Sequence, residues 1–338
     1  MMQQLILVVL WVVVYGYMIT ASIDFGTGFY LFYGQSIKHL DYLYAPLQKW
    51  LSPVSELMNI GFVLIFTAII GLSPEMILNF QTPLVFCGVL AIFLTVLKGT
   101  FFALTELLSK ENRMRSVFLA GNGITGILIP AVLSIALVIS EGGFSDVGAR
   151  GLLPFIIRLL SNFYFWSVMI VAIISIFYIS AMHLVLFASK IGDHELTVHF
   201  RNKVLFLSMP MVFASGLVFL GLEMQNPEHF LRTLDYSWMF MFSLISLLSA
   251  VTLVFLKKYQ WIFTLVMLQY FFALFGYTVS HFPYLIYPDI VMDHQLSAWA
   301  QSPWFFFIAL IIAIAALIGM IALREKRVLR ELAIPKYK

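Results

Sequence analysis

Nine long apolar runs, separated by gaps that are alternately rich and poor in Lys and Arg, constrain this chain more than any other feature. Runs of about twenty residues are long enough to cross a hydrocarbon core roughly 30 Å thick. Only 11% of the residues are charged, and the mean hydropathy is +0.96, whereas soluble domains carry roughly 25% charged residues. The sequence therefore predicts an all-α polytopic membrane protein. The predicted spans are 3–33, 55–73, 83–106, 116–140, 162–189, 203–222, 236–256, 259–280 and 303–323.

The basic residues predict the orientation. Sixteen of the twenty Lys and Arg residues lie in alternate gaps, namely 38–49, 110–115, 190–203 and 257–258, and in the tail after Leu323. The opposite gaps hold only Arg150, Arg158 and Arg232, and Lys98 alone lies within a span. By the positive-inside rule, the N-terminus is outside and the C-terminus cytoplasmic. These loops account for the net charge of +3, so a nucleic-acid partner is not predicted.

The stretches between spans are too short for a soluble domain, so the chain is predicted to be one membrane unit. The span count suggests two four-helix bundles and one peripheral helix. We expect the first bundle at 1–140, an extracytoplasmic connection at 141–161, the second bundle at 162–282, and the ninth helix with a basic cytoplasmic tail at 283–338.

Ionisable residues inside spans are the functional candidates, because a charge at mid-bilayer costs about 2.5–3.5 kcal/mol and usually faces a bundle interior or a hydrated path. They are Asp24, Glu56, Lys98, Glu106, His183 and Glu223. Asp24 lies in the cytoplasmic half of the first span. It is followed by Gly26 and Gly28, which permit close helix approach. Asp24 is predicted to be either a proton carrier or a helix-packing carboxyl.

The other charged candidates each have a structural alternative. Glu56 follows Ser52 and Pro53 at a helix start, so it either complements the helix dipole or lies where cytoplasmic protons enter. Lys98 either snorkels to the headgroups, which is slightly favoured, or pairs with a carboxylate. Glu106, eight residues after Lys98, is expected on about the same helix face.

No catalytic residue, cofactor-binding residue or metal ligand is predicted in this chain. His183 is a lone intramembrane histidine, and His281 lies near the opposite face, so the two are not expected to share a heme or metal ion. Cys87 is the only cysteine, which excludes an intramolecular disulfide and a thiolate cluster. Glu223 is expected to be interfacial.

Three segments together resemble subunit II of cytochrome bd-type quinol oxidases. Residues 22–28 read Ser-Ile-Asp-Phe-Gly-Thr-Gly, residues 97–103 read Leu-Lys-Gly-Thr-Phe-Phe-Ala, and residues 281–285 read His-Phe-Pro-Tyr-Leu. The span count, the outside N-terminus and the length extend the resemblance over the whole chain. The segment 52–60 departs from the family's acidic entry to its second helix, and Lys98 replaces an Arg, which keeps the charge but loses bidentate geometry.

The resemblance implies a multi-pass subunit in a prokaryotic cytoplasmic membrane. It would form a heterodimer with a homologous subunit I, which binds two b-type hemes and one d-type heme, oxidises quinol and reduces O₂ to water. This chain would hold no heme and would help to lead cytoplasmic protons to the oxygen site. Asp24 is the first candidate for that path and Glu56 the second, with Lys98 and Glu106 as electrostatic neighbours. The resemblance leaves room for a small single-helix accessory subunit, bound lipid and a quinone.

Two other functions stay open from the residues alone. A secondary transporter could use buried charges in nine spans, although transporter sites commonly lie at the midplane between inverted repeats. Here the two quartets are parallel, and the charges cluster toward one face. A purely structural membrane scaffold differs from the proton-path hypothesis only in whether Asp24 and Glu56 titrate during function.

Overall fold

The computed structural model describes residues 2–35, 60, 61, 63, 65, 81–108, 113–144 and 151–332. The helices are α1 Met2–Gln35, α2 Gln81–Leu107, α3 Arg113–Ser140, α4 Leu152–Leu160, α5 Phe163–Lys190, α6 His194–Gln225, α7 Pro227–Asp235, α8 Ser237–Phe255, α9 Ile262–His281, α10 His294–Ala300 and α11 Pro303–Leu332. Two short strands, β1 Tyr284–Ile286 and β2 Ile290–Val291, pair antiparallel after α9.

The described part of the chain is all-α apart from this hairpin, which the sequence did not predict. Eight of its helices are long and apolar enough to cross a membrane: α1, α2, α3, α5, α6, α8, α9 and α11. The predicted second span, 55–73, lies mostly outside the described residues, although residues 60, 61, 63 and 65 are helical. The ninth span therefore stays a prediction, as does the orientation of the termini.

Side-chain caps fix where several helices begin. The Asn162 side chain accepts a hydrogen bond from the backbone N–H of Phe165 at the start of α5. At the start of α7, Asn226 accepts from the backbone N–H of His229, and Pro227 occupies the first helical position. Such caps satisfy N–H groups that have no partner within the helix. The cap on α7 also fixes the position of His229.

The first helix is buried along residues 21–28. Its Tyr15 and Tyr30 side chains are also buried, and their hydroxyl groups find partners on other helices. The Tyr15 hydroxyl donates to the carbonyl oxygen of Met267 on α9 at 2.8 Å, and the Tyr30 hydroxyl donates to that of Phe177 on α5 at 3.2 Å. Because α1 and α3 both pack against α5, the two predicted bundles are in direct contact.

The second helix is peripheral and buries one stripe of side chains. Its buried residues include Cys87, Ala91, Leu94, Lys98 and Thr105, a spacing that places these five on one face of a helix. The opposite face exposes large apolar residues, which suits contact with lipid or with another chain. Lys98 is therefore directed into the core by its position on the buried stripe.

The two ends of the helix assembly carry different polar groups. We call the end where α3, α6 and α9 terminate the Glu141 end, and the opposite end the Lys203 end. At the Lys203 end, the Nζ atom of Lys203 lies 4.4 Å from the ring centroid of Tyr33. At the Glu141 end, the backbone N–H of Tyr287 in the hairpin donates to the carbonyl oxygen of Ser140 at 2.8 Å. Under the predicted topology, the Glu141 end is outside and the Lys203 end is cytoplasmic.

Candidate functional site

A buried ion pair joins α1 to α2. The Nζ atom of Lys98 lies 2.5 Å from Oδ2 of Asp24. Lys98 is 4% exposed and Asp24 is 2% exposed. Lys98 is therefore paired with a carboxylate, which was the less favoured alternative. The slightly favoured prediction, that Lys98 snorkels to the headgroups, is wrong. Asp24 is directed into the protein core and away from the surrounding lipid.

Small residues allow the neighbouring helices to approach the pair closely. A Cβ atom at Gly26 would lie 2.7 Å from the carbonyl oxygen of Ile176 on α5 and would also collide with the Ser180 side chain. A Cβ atom at Gly126 on α3 would lie 3.2 Å from the Cα atom of Phe25. The Asp-Phe-Gly segment is thus enclosed by α2, α3 and α5, so the two charges are shielded from bulk solvent.

Polar groups continue from the pair toward the Lys203 end. Thr27 and Asn122 are 0% and 4% exposed, and Oγ1 of Thr27 and Oδ1 of Asn122 have no hydrogen-bond partner among the described residues. Gly28 lies against the Asn122 amide, to which a Cβ atom would come within 3.2 Å. A buried polar atom without a hydrogen-bond partner costs free energy, and an ordered water molecule can remove that cost by bonding to it. We call Asp24, Lys98, Thr27 and Asn122 the inner polar track.

The other predicted residues lie elsewhere. Glu106 is exposed and is about 12 Å along α2 from Lys98, given a rise of about 1.5 Å per residue, so the structure does not bring it to the ion pair. Glu223 is exposed, at the Glu141 end. His183 is fully buried, and its ring packs edge-on against Phe263 at the start of α9. Glu56 lies outside the described residues, and its role stays a prediction.

A second polar cluster lies at the Glu141 end, and sequence analysis missed it. Glu141 follows α3, His229 lies on α7 and His281 is the last residue of α9; they are 1%, 0% and 9% exposed. Nδ1 of His229 lies 2.9 Å from both carboxylate oxygens of Glu141, and Nδ1 of His281 lies 3.4 Å from Oε1. Asn226 Nδ2 donates to Oε2 at 3.0 Å, and the Tyr277 hydroxyl donates to Oε1. We call Glu141, His229 and His281 the outer cluster.

The electrostatics of the outer cluster favour a charged carboxylate. Burial by itself raises the pKa of Glu141, but the hydrogen bonds and charges of His229 and His281 outweigh burial and hold this pKa well below its usual range. For His229, burial is the largest influence and lowers its pKa below the ordinary value, against the raising effect of Glu141. The carboxylate is therefore the anionic centre of this end of the molecule.

The outer cluster escaped sequence analysis because its members are far apart in the chain and only His281 lies within a described span. Glu141 and His229 were not among the candidates, because both lie in connections between predicted spans. The sequence did hold a signal for the outer cluster, because the predicted topology places all three residues at the same membrane face. Polar residues at that face could have been considered together as one candidate site.

These features define a class: a multi-pass helical membrane protein with buried charges near one end and a histidine–carboxylate cluster at the other. The cytochrome bd terminal oxidase subunit II family model matches residues 2–324. The chain therefore belongs to the cytochrome bd terminal oxidase subunit II family.

Two further similarities agree with the family. A Bacillus subtilis (strain 168) protein that carries the provisional name cytochrome bd menaquinol oxidase subunit II is 25% identical over 297 residues, which cover 84% of this chain and 83% of that protein. A chain in the structure of bd oxidase from Geobacillus thermodenitrificans is 30% identical, with a TM-score of 0.74, and the similarity covers 96% of this chain and 98% of that one.

Family membership makes this chain a subunit of a cytochrome bd quinol oxidase, an oxidoreductase complex of respiration. It implies a subunit I partner and hemes that lie mostly in that partner. The candidate spans and the family together indicate a multi-pass membrane protein.

Proposed function

We propose that this chain is the heme-free member of a heterodimer with subunit I, and that Asp24 carries cytoplasmic protons toward the site where O₂ is reduced to water. The observation that carries the proposal is the buried ion pair between Asp24 and Lys98 in a chain of this family. The enzyme's quinol substrate and its hemes would belong to the complex. No independent activity is expected of this subunit.

The charge balance of the pair supports transient protonation. Two ions taken out of water are tolerated only when they are paired. A proton that binds Asp24 leaves the Lys98 charge without its anion in the core, and release of the proton restores the pair. Asp24 is therefore suited to pass a proton on and unsuited to retain it. Lys98 would act as a positioning residue that keeps each protonation brief.

The inner polar track supports a direction for this transfer. Thr27 and Asn122 lie between Asp24 and the Lys203 end, which is cytoplasmic under the predicted topology. Their unsatisfied oxygens favour water, which can connect the cytosol to Asp24. Glu56, predicted at the cytoplasmic start of the second span, is the proposed entry residue.

The test is the oxygen-linked turnover of the purified complex. Asp24→Asn is expected to lower turnover by at least tenfold while heme content stays near wild type. The exposed Glu106→Gln is the matched carboxylate control and is expected to keep turnover within twofold. Normal turnover in Asp24→Asn would remove Asp24 from the path.

A double variant separates proton transfer from packing, because Asp24→Asn alone also leaves the Lys98 charge buried. Asp24→Asn with Lys98→Met removes both charges, and it is expected to assemble with a heme content near wild type but to keep the low turnover of Asp24→Asn. If the double variant recovers turnover as well, the pair serves only packing. If it loses hemes and subunit I, a structural role is again the better account.

The transporter alternative receives no comparable support. Its sites belong near the bilayer midplane between inverted repeats, and the family match extends over residues 2–324. An optical spectrum of the preparation purified in mild detergent separates the two functions. Bands of b-type and d-type heme from a co-purifying partner are expected, whereas a colourless homo-oligomer would favour transport.

A further inference from the structure

The outer cluster has the donor geometry of a metal site. The three pairwise distances among Oε1 of Glu141, Nδ1 of His229 and Nδ1 of His281 are 2.9, 3.4 and 3.5 Å. Tetrahedral zinc with Zn–N and Zn–O bonds of about 2.0–2.2 Å places neighbouring ligand atoms about 3.3–3.5 Å apart. The three donor atoms therefore already form nearly one face of a coordination tetrahedron.

The hydrogen-bond partners of His229 leave its Nδ1 atom free to act as a metal ligand. The Ser280 hydroxyl donates to the carbonyl oxygen of Tyr277 at 3.0 Å, and its oxygen lies 2.8 Å from Nε2 of His229. When the Ser280 proton goes to that carbonyl, the Ser280 oxygen accepts the Nε2 proton of His229. The neutral imidazole then turns the lone pair of its Nδ1 atom toward the Glu141 carboxylate, 2.9 Å away. The contact between Nδ1 of His229 and the carboxylate is therefore made either by a proton on Nδ1 or by a cation bound between the two atoms.

The surroundings resemble the outer shell of a metal site. Ligating histidines usually donate their second ring N–H to a nearby acceptor, and ligating carboxylates are themselves hydrogen-bonded. Ser280 Oγ lies 2.8 Å from Nε2 of His229, where it can accept the ring proton, and Asn226 and Tyr277 donate to Glu141. Nε2 of His281 has no hydrogen-bond partner among the described residues, and 11% of this side chain is exposed. The His281 side of the cluster is therefore the route by which an ion would enter.

We propose that Glu141, His229 and His281 bind one divalent transition-metal ion of the zinc class, with the fourth coordination position open to water. Two histidines and one carboxylate form an established zinc-binding set. The ligands come from the residue after α3, from α7 and from the end of α9, so a bound ion ties the connection that follows the first predicted bundle to the second bundle. This site is at the opposite end from the inner polar track and does not depend on the proposed proton path.

The test is the zinc content of the complex, purified through a tag that contains no histidine. The complex is stripped with a chelator, equilibrated with Zn²⁺ and freed of unbound metal, and zinc is then measured by elemental analysis, which distinguishes it from heme iron. We expect one zinc per chain in the wild type. His229→Gln and Glu141→Gln are expected to lose it. A wild type without stoichiometric zinc, or variants that bind as much as the wild type, would overturn the proposal.

Controls address surface binding and folding. His294→Gln removes an exposed histidine at the same end and is expected to keep one zinc, as is Asp24→Asn at the opposite end. His281→Gln changes the most exposed ligand of the cluster and is the variant to use if His229→Gln does not assemble. It is expected to weaken Zn²⁺ binding by at least a hundredfold. Affinity equal to that of the wild type would exclude His281 as a ligand and overturn the three-ligand site.

Discussion

The chemistry of Asp24 depends on the cation beside it. Its carboxylate is almost fully buried, and the Lys98 ammonium is the cation that the structure places against it. The Nζ atom of Lys98 also lies 5.2 Å from the centroid of the Phe25 ring, whose face attracts a cation. Removing one member of a buried pair leaves an uncompensated charge in the core, which costs more than the pair itself contributes.

Lys98→Met is therefore expected to lower the free energy of unfolding by about 3–5 kcal/mol. The loss should appear as a lower thermal unfolding midpoint of the complex in detergent. Lys98→Arg keeps the charge and is expected to lower the free energy of unfolding much less. Lys258 is exposed, so Lys258→Met serves as the control for loss of a lysine. A Lys98→Met complex as stable as the Lys258→Met complex would show that the pair contributes nothing to stability.

The first helix is packed tightly against α5 at Gly26. The Gly26 position leaves no room for a methyl group against α5, whereas a Cβ atom at Gly16 on the same helix meets nothing within 4 Å. Helix interfaces in membranes rely on such small residues, because lipid provides no hydrophobic force between helices. The two glycines therefore form a natural pair for testing the contact between α1 and α5.

Gly26→Ala is expected to destabilise the complex by about 1–3 kcal/mol, because overpacking forces backbone shifts. Gly16→Ala is expected to leave stability unchanged or slightly higher, since Ala favours helix more than Gly does. Thermal unfolding of the two variants side by side measures the difference. Equal midpoints would mean that α1 and α5 are not in contact at Gly26.

For the helices, the sequence predicted the eight described spans to within a few residues at most ends, because the length of an apolar run is enough to identify a membrane helix. The largest differences are nine residues: α11 ends at Leu332 and not at the predicted 323, and α6 begins at His194, before the predicted 203. At the start of α6, the Asp193 side chain caps the helix by accepting from the backbone N–H of Leu196, so α6 begins ahead of the apolar run. The short hairpin was missed because its strands hold only three and two residues.

The molecule as a whole places two polar sites at opposite ends of an apolar body. Asp24 could be predicted because a carboxylate within an apolar run is conspicuous by itself. Its pairing with Lys98 was left as the less favoured alternative, because hydropathy does not tell which face of α2 is buried. The outer cluster depends on contacts between residues up to 140 positions apart, such as Glu141 and His281, which periodicity along the chain does not report.

The most direct measurement for the proposed proton path is proton uptake by inverted membrane vesicles, whose cytoplasmic face is exposed to a pH-sensitive dye. When quinol and O₂ are supplied, the wild-type complex is predicted to make the outer solution alkaline. Asp24→Asn with Lys98→Met, at equal heme content, is predicted to do so at least tenfold more slowly. Alkalinisation at the wild-type rate in that variant, or acidification by the wild type, would contradict a cytoplasmic proton path through Asp24.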